Sequence, residues 1–219
     1  MSNEVVVVVA GGPAPAPEAA EAVPEGAVVV AADRGLEHAR ALGLDVALVV
    51  GDLDSVAAAS VAAAEAEGVR VERHPAVKDA TDLELALDAG LALDPTRVVV
   101  LAGEGGRLDH LLSILLLLGS RRYAAVELEA RLGPAAVHVV RGRRTLTGAR
   151  GQLVSLLALH GPAEGIRTTG LAYPLDGETL EAGSSRGVSN VFVAQTATVS
   201  VDRGVLLAIR PGAEDHGGR

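Results

Sequence analysis

Six aspartates follow four short apolar segments of the chain, each close to the point where a segment ends. They are Asp33, Asp52, Asp54, Asp79, Asp82 and Asp109. If the segments are strands of a parallel sheet, all six aspartates lie at one edge of it, the carboxyl end, where ligands of open α/β sheets bind. Clustered carboxylates repel one another. A divalent cation such as Mg²⁺, which also bridges to substrate phosphates, is the usual counter-charge.

Any one of these aspartates could instead cap a helix, because Asp is a favoured N-cap residue. The pair Asp52 and Asp54 is harder to explain in that way, since two carboxylates two residues apart on a turn can face one ion. Lys78, Arg107 and Arg34 fall on the same predicted edge and could neutralise phosphate oxygens. The sequence therefore predicts a site for a metal ion and a phosphorylated ligand.

Several other chemistries are excluded by motifs that the sequence lacks. It has no P-loop, no G-x-G-x-x-G turn, no G-x-S-x-G elbow and no H-E-x-x-H. It has no cysteine, which excludes thiolate metal sites, disulfides and a cysteine nucleophile. The net charge is −9 and no basic block occurs, so we predict no nucleic-acid partner.

The elements that must position these residues can be outlined from the first 140 residues, where short valine-rich runs alternate with longer alanine-rich ones. The short runs are continuously apolar, which is typical of strands buried on both faces of a parallel sheet. The predicted strands are Val5–Ala10, Ala27–Ala32, Val46–Val50, Val69–Glu72, Arg97–Leu101 and Val137–Val140. The predicted helices are Glu18–Ala22, Leu36–Leu42, Ala57–Glu67, Asp82–Leu93 and Leu108–Leu118. Thr81 and Glu84 have the spacing of a capping box, which marks one helix start.

The pattern changes after about Arg141, where Gly, Thr, Ser and Pro separate short apolar runs. Leu153–Leu159, Thr196–Val201 and Val205–Ile209 are predicted strands of a small antiparallel sheet or sandwich. We therefore expect an α/β domain over residues 1–142, a doubly wound parallel sheet with helices on both faces. A smaller all-β sandwich domain is expected over residues 143–219, ending in a frayed tail at His216–Arg219.

Length and composition place the chain among water-soluble globular proteins. It has 219 residues, of which 49% are hydrophobic but only 1% aromatic, so the core must consist of Ala, Val and Leu. No signal segment or membrane span is visible, since the apolar runs are too short. We predict a cytoplasmic location and no membrane partner.

At these residues the chain resembles the thiamin pyrophosphokinase (thiamin diphosphokinase) family. The similarity extends from about Val5 to Ile209, and the ordered set of motifs is more specific than any one of them. The matching segments are Ala32–Gly35 (ADRG), Gly51–Ser55 (GDLDS), Lys78–Asp82 (KDATD), Gly106–His110 (GRLDH), Thr169–Tyr173 (TGLAY) and Gly187–Asn190 (GVSN).

The resemblance implies an N-terminal α/β catalytic domain, a C-terminal thiamin-binding β-sandwich and a homodimer with its sites between subunits. It also implies an enzyme that uses ATP as co-substrate and Mg²⁺ as cofactor. The pyrophosphoryl group of ATP would pass to the hydroxyl of thiamin, giving thiamin diphosphate and AMP. Thiamin and ATP are thus the implied partners.

The resemblance also assigns roles to individual residues. Asp52, Asp54 and Asp82 would hold Mg²⁺. Residues around the nucleotide phosphates and the attacking hydroxyl would be Asp33, Lys78, Thr81, Arg107 and Asp109. Ser189 and Asn190 would touch thiamin. Arg34 stands where the family more often has a small residue, so either the turn differs there or Arg34 adds a phosphate contact. The hydroxyl proton could go to Asp82 or Asp109, and the sequence does not choose between them.

Other functions remain open at this stage. The same edge would suit a pyrophosphokinase that acts on another alcohol, such as a hydroxymethylpterin. It would also suit a metal-dependent phosphohydrolase with Asp52 as nucleophile, or a non-catalytic sensor of nucleotide or thiamin diphosphate. Tyr173 and Phe192 are the few aromatic candidates for stacking on a pyrimidine, although either could belong to the core of the small sheet.

Overall fold

The structure, a computed structural model, describes residues 4–212. The expectation of a frayed tail at His216–Arg219 falls outside these residues. The chain divides into two compact units. The first runs up to Ile114 and also takes Ala125–Gly133, and the second takes Leu115–Ala124 and the chain from Pro134 onward. A functional boundary between residues 142 and 143 stays a prediction.

The described residues form strands and α-helices in the order ββαβαβαβαβββββββββ. The strands are β1 (Val5–Val9), β2 (Val28–Ala32), β3 (Val46–Gly51), β4 (Arg70–Arg73), β5 (Arg97–Ala102), β6 (Glu127–Leu132), β7 (Ala135–Val140), β8 (Arg143–Thr147), β9 (Leu153–Ala158), β10 (Ala163–Thr169), β11 (Asp176–Leu180), β12 (Asn190–Val191), β13 (Thr196–Ser200) and β14 (Leu206–Arg210). The α-helices are α1 (Gly35–Ala41), α2 (Ala58–Ala66), α3 (Asp82–Leu91) and α4 (Leu108–Leu118). Short 3-10 helices occupy Pro17–Ala22 and Arg121–Tyr123.

The first unit contains a parallel sheet in the order β6-β5-β1-β2-β3-β4. Helices cover both faces of it. Ala39 of α1 packs with Val7 and Val9 of β1 on one face. Gly90 of α3 lies against Val6 on the other, because successive side chains of a strand point to opposite faces. The predicted doubly wound α/β arrangement is confirmed.

The structure differs from the predicted elements of the first 140 residues in three places. Strand β6 was not expected, because its sequence Glu-Leu-Glu-Ala-Arg-Leu alternates polar and apolar residues instead of forming a continuous apolar run. The segment Val137–Val140 is a strand, but β7 pairs antiparallel with β14 in the second unit. This strand is buried on both faces although its partner is antiparallel, so the apolar run does not reveal strand direction here. Glu18–Ala22 forms a 3-10 helix that begins with Pro17.

The second unit consists of two antiparallel sheets with the orders β12-β9-β14-β7 and β11-β10-β13-β8. Their inner faces share one core, which includes Val154, Leu156, Ile166, Phe192 and Val199. The predicted β-sandwich is confirmed. Strand β8, shortly after Arg141, and the polar strands β10, β11 and β12 were not expected. Among residues 4–212 no helix is long and apolar enough to cross a membrane.

Candidate active site

Asp33 is fixed at the carboxyl end of β2 by its backbone. Its N–H donates to the Val50 carbonyl at 2.9 Å, which ties the residue to the neighbouring strand β3. Its φ of 51° lies in the left-handed region, where Asp is one of the few non-glycine residues that is tolerated. The side chain also accepts a hydrogen bond at Oδ2 from the hydroxyl of Ser55. Asp33 is therefore oriented by both the backbone and a side chain.

The loop after β3 brings a second carboxylate to the same edge. Asp52 accepts a hydrogen bond at Oδ1 from the N–H of Asp54, at 3.2 Å, which shapes the turn. Gly51 precedes it with a φ of 154°. A Cβ on Gly51 would lie 3.1 Å from Asp82 Oδ1 and 3.3 Å from the Cβ of Asp33. The absence of a side chain at this glycine is what lets the carboxylates on either side approach each other.

Asp82 reaches this edge as the first residue of α3. The N-cap residue Thr81 accepts a hydrogen bond at Oγ1 from the N–H of Glu84, at 3.2 Å, so the predicted start of this helix is confirmed. A carboxylate in the first turn also interacts favourably with the helix dipole.

Carboxylate oxygens of Asp33, Asp52 and Asp82 all lie within 4.8 Å of one another. The Oδ1 atom of Asp33 is buried and has no hydrogen-bond partner. The Oδ1 atom of Asp82 is likewise buried without a hydrogen-bond partner, although it forms an ion pair with Lys78. Three hard anionic oxygens around one point form a ligand set that suits Mg²⁺. An isolated buried carboxylate oxygen is otherwise costly, so these residues fit such an ion.

Lys78 is the counter-charge of this cluster. Its Nζ donates to Asp52 Oδ2 at 2.9 Å and forms an ion pair with Asp82 Oδ1 at 3.0 Å. Partial burial lowers the pKa of Lys78, but the contacts with the two carboxylates raise it by more, so that its pKa lies above the ordinary value. The ammonium in turn holds the pKa of Asp52 below its usual range.

Asp54 lies outside the set of three. Its side chain is exposed, and its pKa is raised, chiefly by the negative charge of Asp52. The sequence assigned Asp54 to the metal and Asp33 to the phosphate surroundings, whereas the structure groups Asp33 with Asp52 and Asp82. The assignment of Asp54 as a ligand stays a prediction.

Arg34 is an exposed cation beside the cluster. Its Nε donates to the Ser55 carbonyl at 3.3 Å, and among residues 4–212 no carboxylate pairs with its guanidinium. Thr81 is also exposed, and its oxygen serves the helix cap described above. Both residues follow strands of the parallel sheet and lie at its carboxyl edge, in agreement with the predicted topology.

Arg107 and Asp109 form their own pair on the segment after β5. Arg107 donates through Nε to Asp109 Oδ1 at 3.1 Å and through Nη2 to Oδ2 at 2.6 Å. This fork lowers the pKa of Asp109 to about 2. Both side chains are largely exposed, so the pair is open to a ligand. The nearby His110 donates its backbone N–H to the same carboxylate.

In the second unit, the side chain of Asn190 is buried and forms hydrogen bonds with the backbone of Tyr173. Its Oδ1 accepts from the N–H of Tyr173 at 3.0 Å and its Nδ2 donates to the Tyr173 carbonyl at 2.7 Å. The ring of Tyr173 is 67% exposed. Ser189 is exposed, with a φ of 62°, and its N–H donates to the hydroxyl of Ser155. Phe192 is fully buried, so of the two aromatic candidates for stacking only Tyr173 is accessible.

The structure thus brings together Asp33, Asp52, Asp82 and Lys78, and places Arg34 beside them. Ser55 orients Asp33 through the hydrogen bond described above, but the sequence analysis assigned Ser55 no role. The available signal was its place directly after Asp54 at the carboxyl end of β3.

The fold and this site define a class of protein, an α/β domain with an acidic site at the carboxyl edge of its sheet, followed by an antiparallel β-sandwich. Family models give the class a specific identity. The model described as the thiamin pyrophosphokinase catalytic domain matches residues 20–128, and the model described as its vitamin B1 binding domain matches residues 138–206. The chain belongs to the thiamin pyrophosphokinase family and is an enzyme of that family.

Individual relatives agree with the family models. The thiamine pyrophosphokinase of Bacillus subtilis (strain 168) is 27% identical over 210 residues, which are 93% of this chain and 96% of the relative. A crystal structure of thiamin pyrophosphokinase from Geobacillus thermodenitrificans is 27% identical, with a TM-score of 0.79 and coverage of 96% of this chain and 99% of that one. The crystal structure from Bacillus subtilis has a TM-score of 0.82 at 23% identity, covering 95% and 99%, which supports the fold.

Proposed function

We propose that this enzyme transfers the pyrophosphoryl group of ATP to the hydroxyl of thiamin, giving thiamin diphosphate and AMP, with Mg²⁺ as cofactor. Membership of the family supports thiamin as the acceptor. The observation that carries the phosphate chemistry is the grouping of Asp33, Asp52 and Asp82 around one point with Lys78 beside them. Such a site binds a phosphate chain through a metal ion.

In this proposal Asp33, Asp52 and Asp82 hold the Mg²⁺, which supplies positive charge to the phosphates as charge develops during transfer. Lys78 and Arg34 contact phosphate oxygens that the ion leaves free. Arg34 suits this role because its guanidinium donates only through Nε, to the Ser55 carbonyl, and pairs with no carboxylate among residues 4–212. Phosphoryl transfer depends on charge neutralisation and in-line positioning more than on a strong nucleophile.

The sequence left Asp82 and Asp109 open as acceptors of the hydroxyl proton. Asp109 is a weak base, because the Arg107 fork lowers its pKa to about 2. We assign Asp109 a positioning part instead, in which the Arg107–Asp109 pair orients the acceptor hydroxyl and the phosphates.

For the acceptor we propose the surface around Tyr173. Its exposed ring can stack on a pyrimidine, and aromatic stacking adds to the free energy of binding beyond the buried area. Asn190 fixes the backbone of Tyr173 through two hydrogen bonds and so acts on thiamin through the tyrosine. Ser189 presents an exposed hydroxyl next to Asn190.

We also propose that the enzyme is a homodimer, and helix α4 supports this. The helix consists mostly of leucine, yet of its residues only Leu118 is buried. Leu108, Leu112 and Leu116, each four residues apart, are 78%, 54% and 41% exposed. An exposed row of leucines on one face of a helix is normally covered, and such a row without charge can pair with its own copy.

Sedimentation equilibrium tests this part. The wild type should sediment as a dimer, and Leu112→Lys should shift it toward monomer, because the charge would be buried in the stripe. Ala59→Lys, on an exposed position of α2, is the matched control and should stay dimeric. A wild-type monomer would refute the homodimer, and an unchanged Leu112→Lys dimer would refute the use of α4.

The reaction itself is tested by incubating the protein with Mg-ATP and thiamin and identifying the nucleotide product. AMP formed in step with thiamin diphosphate supports the proposal. ADP would indicate an ordinary kinase, and AMP formed only with a hydroxymethylpterin would indicate another acceptor. Hydrolysis of ATP without any acceptor would indicate a phosphohydrolase. A cytoplasmic location stays a prediction.

A further inference from the structure

Lys78 is the only lysine in a chain of 219 residues, in which the other 18 of the 19 Lys and Arg residues are arginines. This single lysine lies in the carboxylate cluster, with Nζ 2.9 Å from Asp52 Oδ2 and 3.0 Å from Asp82 Oδ1. Its side chain is 14% exposed. At this one place in the protein the cation is a compact ammonium on a flexible stem and not a guanidinium.

The two carboxylates that Lys78 contacts are also two of the three proposed metal ligands. Asp52 has both oxygens engaged, Oδ1 by the N–H of Asp54 and Oδ2 by Lys78. The third carboxylate, Asp33, keeps its buried Oδ1 without a partner. An ammonium and a divalent cation would thus compete for the carboxylates of Asp52 and Asp82, whereas the lysine does not engage Asp33.

The residue type suits a charge that must move. Arginine binds carboxylates with a rigid two-pronged fork, and the pair Arg107–Asp109 in this protein does so. Lysine is a point charge with rotatable donors, and it can exchange one anion for another without breaking a bidentate pair. Lysine is also a common phosphate ligand.

We propose that Lys78 is a resident counter-ion, which neutralises Asp52 and Asp82 in the metal-free protein, releases them when a divalent cation binds, and then turns to the phosphates of the nucleotide. This proposal rests on the metal site of the proposed function and adds a second role for Lys78. It explains how three carboxylates coexist before the ion arrives. It also implies that metal alone binds weakly and that metal and nucleotide bind together more strongly, because the nucleotide gives the displaced ammonium a new partner.

The test is Mn²⁺ binding measured by electron paramagnetic resonance on the free ion, without nucleotide. We expect Lys78→Met to bind Mn²⁺ about tenfold or more tightly than the wild type, because its competitor is removed, which corresponds to about 1.4 kcal/mol. Adding a non-hydrolysable ATP analogue should strengthen Mn²⁺ binding to the wild type but much less to Lys78→Met. Lys78→Arg should bind Mn²⁺ no better than the wild type.

Arg34→Met is the matched control, since it removes one positive charge from the same edge without freeing a carboxylate. We expect its Mn²⁺ affinity without nucleotide to change by less than about threefold, the effect of a screened surface charge. If Lys78→Met binds Mn²⁺ no more tightly than the wild type, or if Arg34→Met gains as much, the counter-ion role is refuted.

A second readout follows the lysine directly. Protein labelled with ¹⁵N-lysine contains a single labelled ammonium, so its Nζ resonance needs no assignment. Saturating Mg²⁺ should shift this resonance, because the ammonium loses Asp52 and Asp82, and an unchanged resonance with Mg²⁺ bound would overturn the proposal. If no variant binds Mn²⁺, the metal site and the counter-ion role fail together. If the wild type binds Mn²⁺ in the expected order but forms no thiamin diphosphate, only the proposed reaction fails.

Discussion

The variants Asp33→Asn and Asp54→Asn separate the ligand set of the structure from the one that the sequence indicated. Both change a carboxylate to an amide of nearly the same size. Asp33 presents a buried oxygen without a partner to the cluster, whereas Asp54 is exposed and lies outside the set of three. We therefore expect the two variants to differ strongly in metal affinity.

The expected magnitudes follow from the two positions. Loss of a group that only supports a metal ligand costs about 10- to 100-fold in affinity, so the loss of a direct ligand at Asp33 should cost about 100-fold or more. Asp54 acts on the ion only through its charge, so the loss of this carboxylate should lower the metal affinity by about tenfold at most. In the Asp33→Asn variant, an amide N–H₂ can also point to where the ion would bind, which weakens binding further.

The folded state should survive the change at Asp33. Two carboxylates within 4.8 Å repel each other by roughly 1 to 3 kcal/mol for an effective dielectric constant between about 80 and 20. The hydrogen bond that Ser55 donates to Asp33 is charge-assisted and contributes about 1.5 to 3 kcal/mol. Since Asp33→Asn relieves the carboxylate repulsion and weakens the hydrogen bond from Ser55, the melting temperature of the metal-free protein should change little.

The assay is the Mg²⁺ concentration that gives half-maximal AMP formation, together with Mn²⁺ binding by electron paramagnetic resonance. Thermal unfolding without metal is the control for folding. If Asp54→Asn loses as much affinity as Asp33→Asn, or if Asp33→Asn binds Mn²⁺ normally, then the ligand set derived from the structure is wrong.

Three further predictions concern the supporting residues. Thr81→Ala removes the cap of α3 and should lower the free energy of unfolding by about 0.5 to 2 kcal/mol in urea denaturation, whereas Thr81→Ser should retain most of it. Asn190→Ala should lower the free energy of unfolding by about 1 to 3 kcal/mol, because two hydrogen bonds to the backbone of Tyr173 are lost. The same variant should raise KM for thiamin more than KM for ATP, and an unchanged KM for thiamin would contradict this. The lowered pKa of Asp109 means that its ion pair with Arg107 is fully present above about pH 3.8 and is lost as the pH falls through about 2. In Arg107→Gln, carboxyl NMR titration should show the pKa of Asp109 return toward 3.8. An Asp109 pKa near 2 in that variant would contradict the assigned cause.

Much of the fold could be predicted because its signals are local. Valine-rich runs identified β1, β2, β3 and β5, and the predicted helix Leu108–Leu118 agrees with the observed bounds of α4. Strand β6 was missed because its Glu129, which is buried in the structure, reads as a solvent-facing residue in the sequence. The burial is possible because Arg97 of the adjacent strand pairs with this carboxylate, and that partner lies 32 residues away.

The candidate site was predictable in outline for a topological reason. Once the strands are parallel, residues after their carboxyl ends must share one edge, so Asp33, Asp52 and Asp82 could be grouped from the sequence. The sequence could not rank Asp33 against Asp54, because both follow strands of the same sheet. Only the φ of Asp33 and its bond from Ser55 direct it toward the cluster.

The sequence by itself therefore determined the fold class, and it predicted the edge of the sheet where carboxylates gather and the kind of ligand that would suit them, since all three depend on residue type and on spacing along the chain. The tertiary structure decided which of the candidate side chains meet. It buried Asn190 and Phe192, left Tyr173 exposed, and placed Lys78 in contact with both Asp52 and Asp82. These outcomes depend on distances between residues far apart in the chain, which burial and backbone geometry fix and which no local pattern encodes.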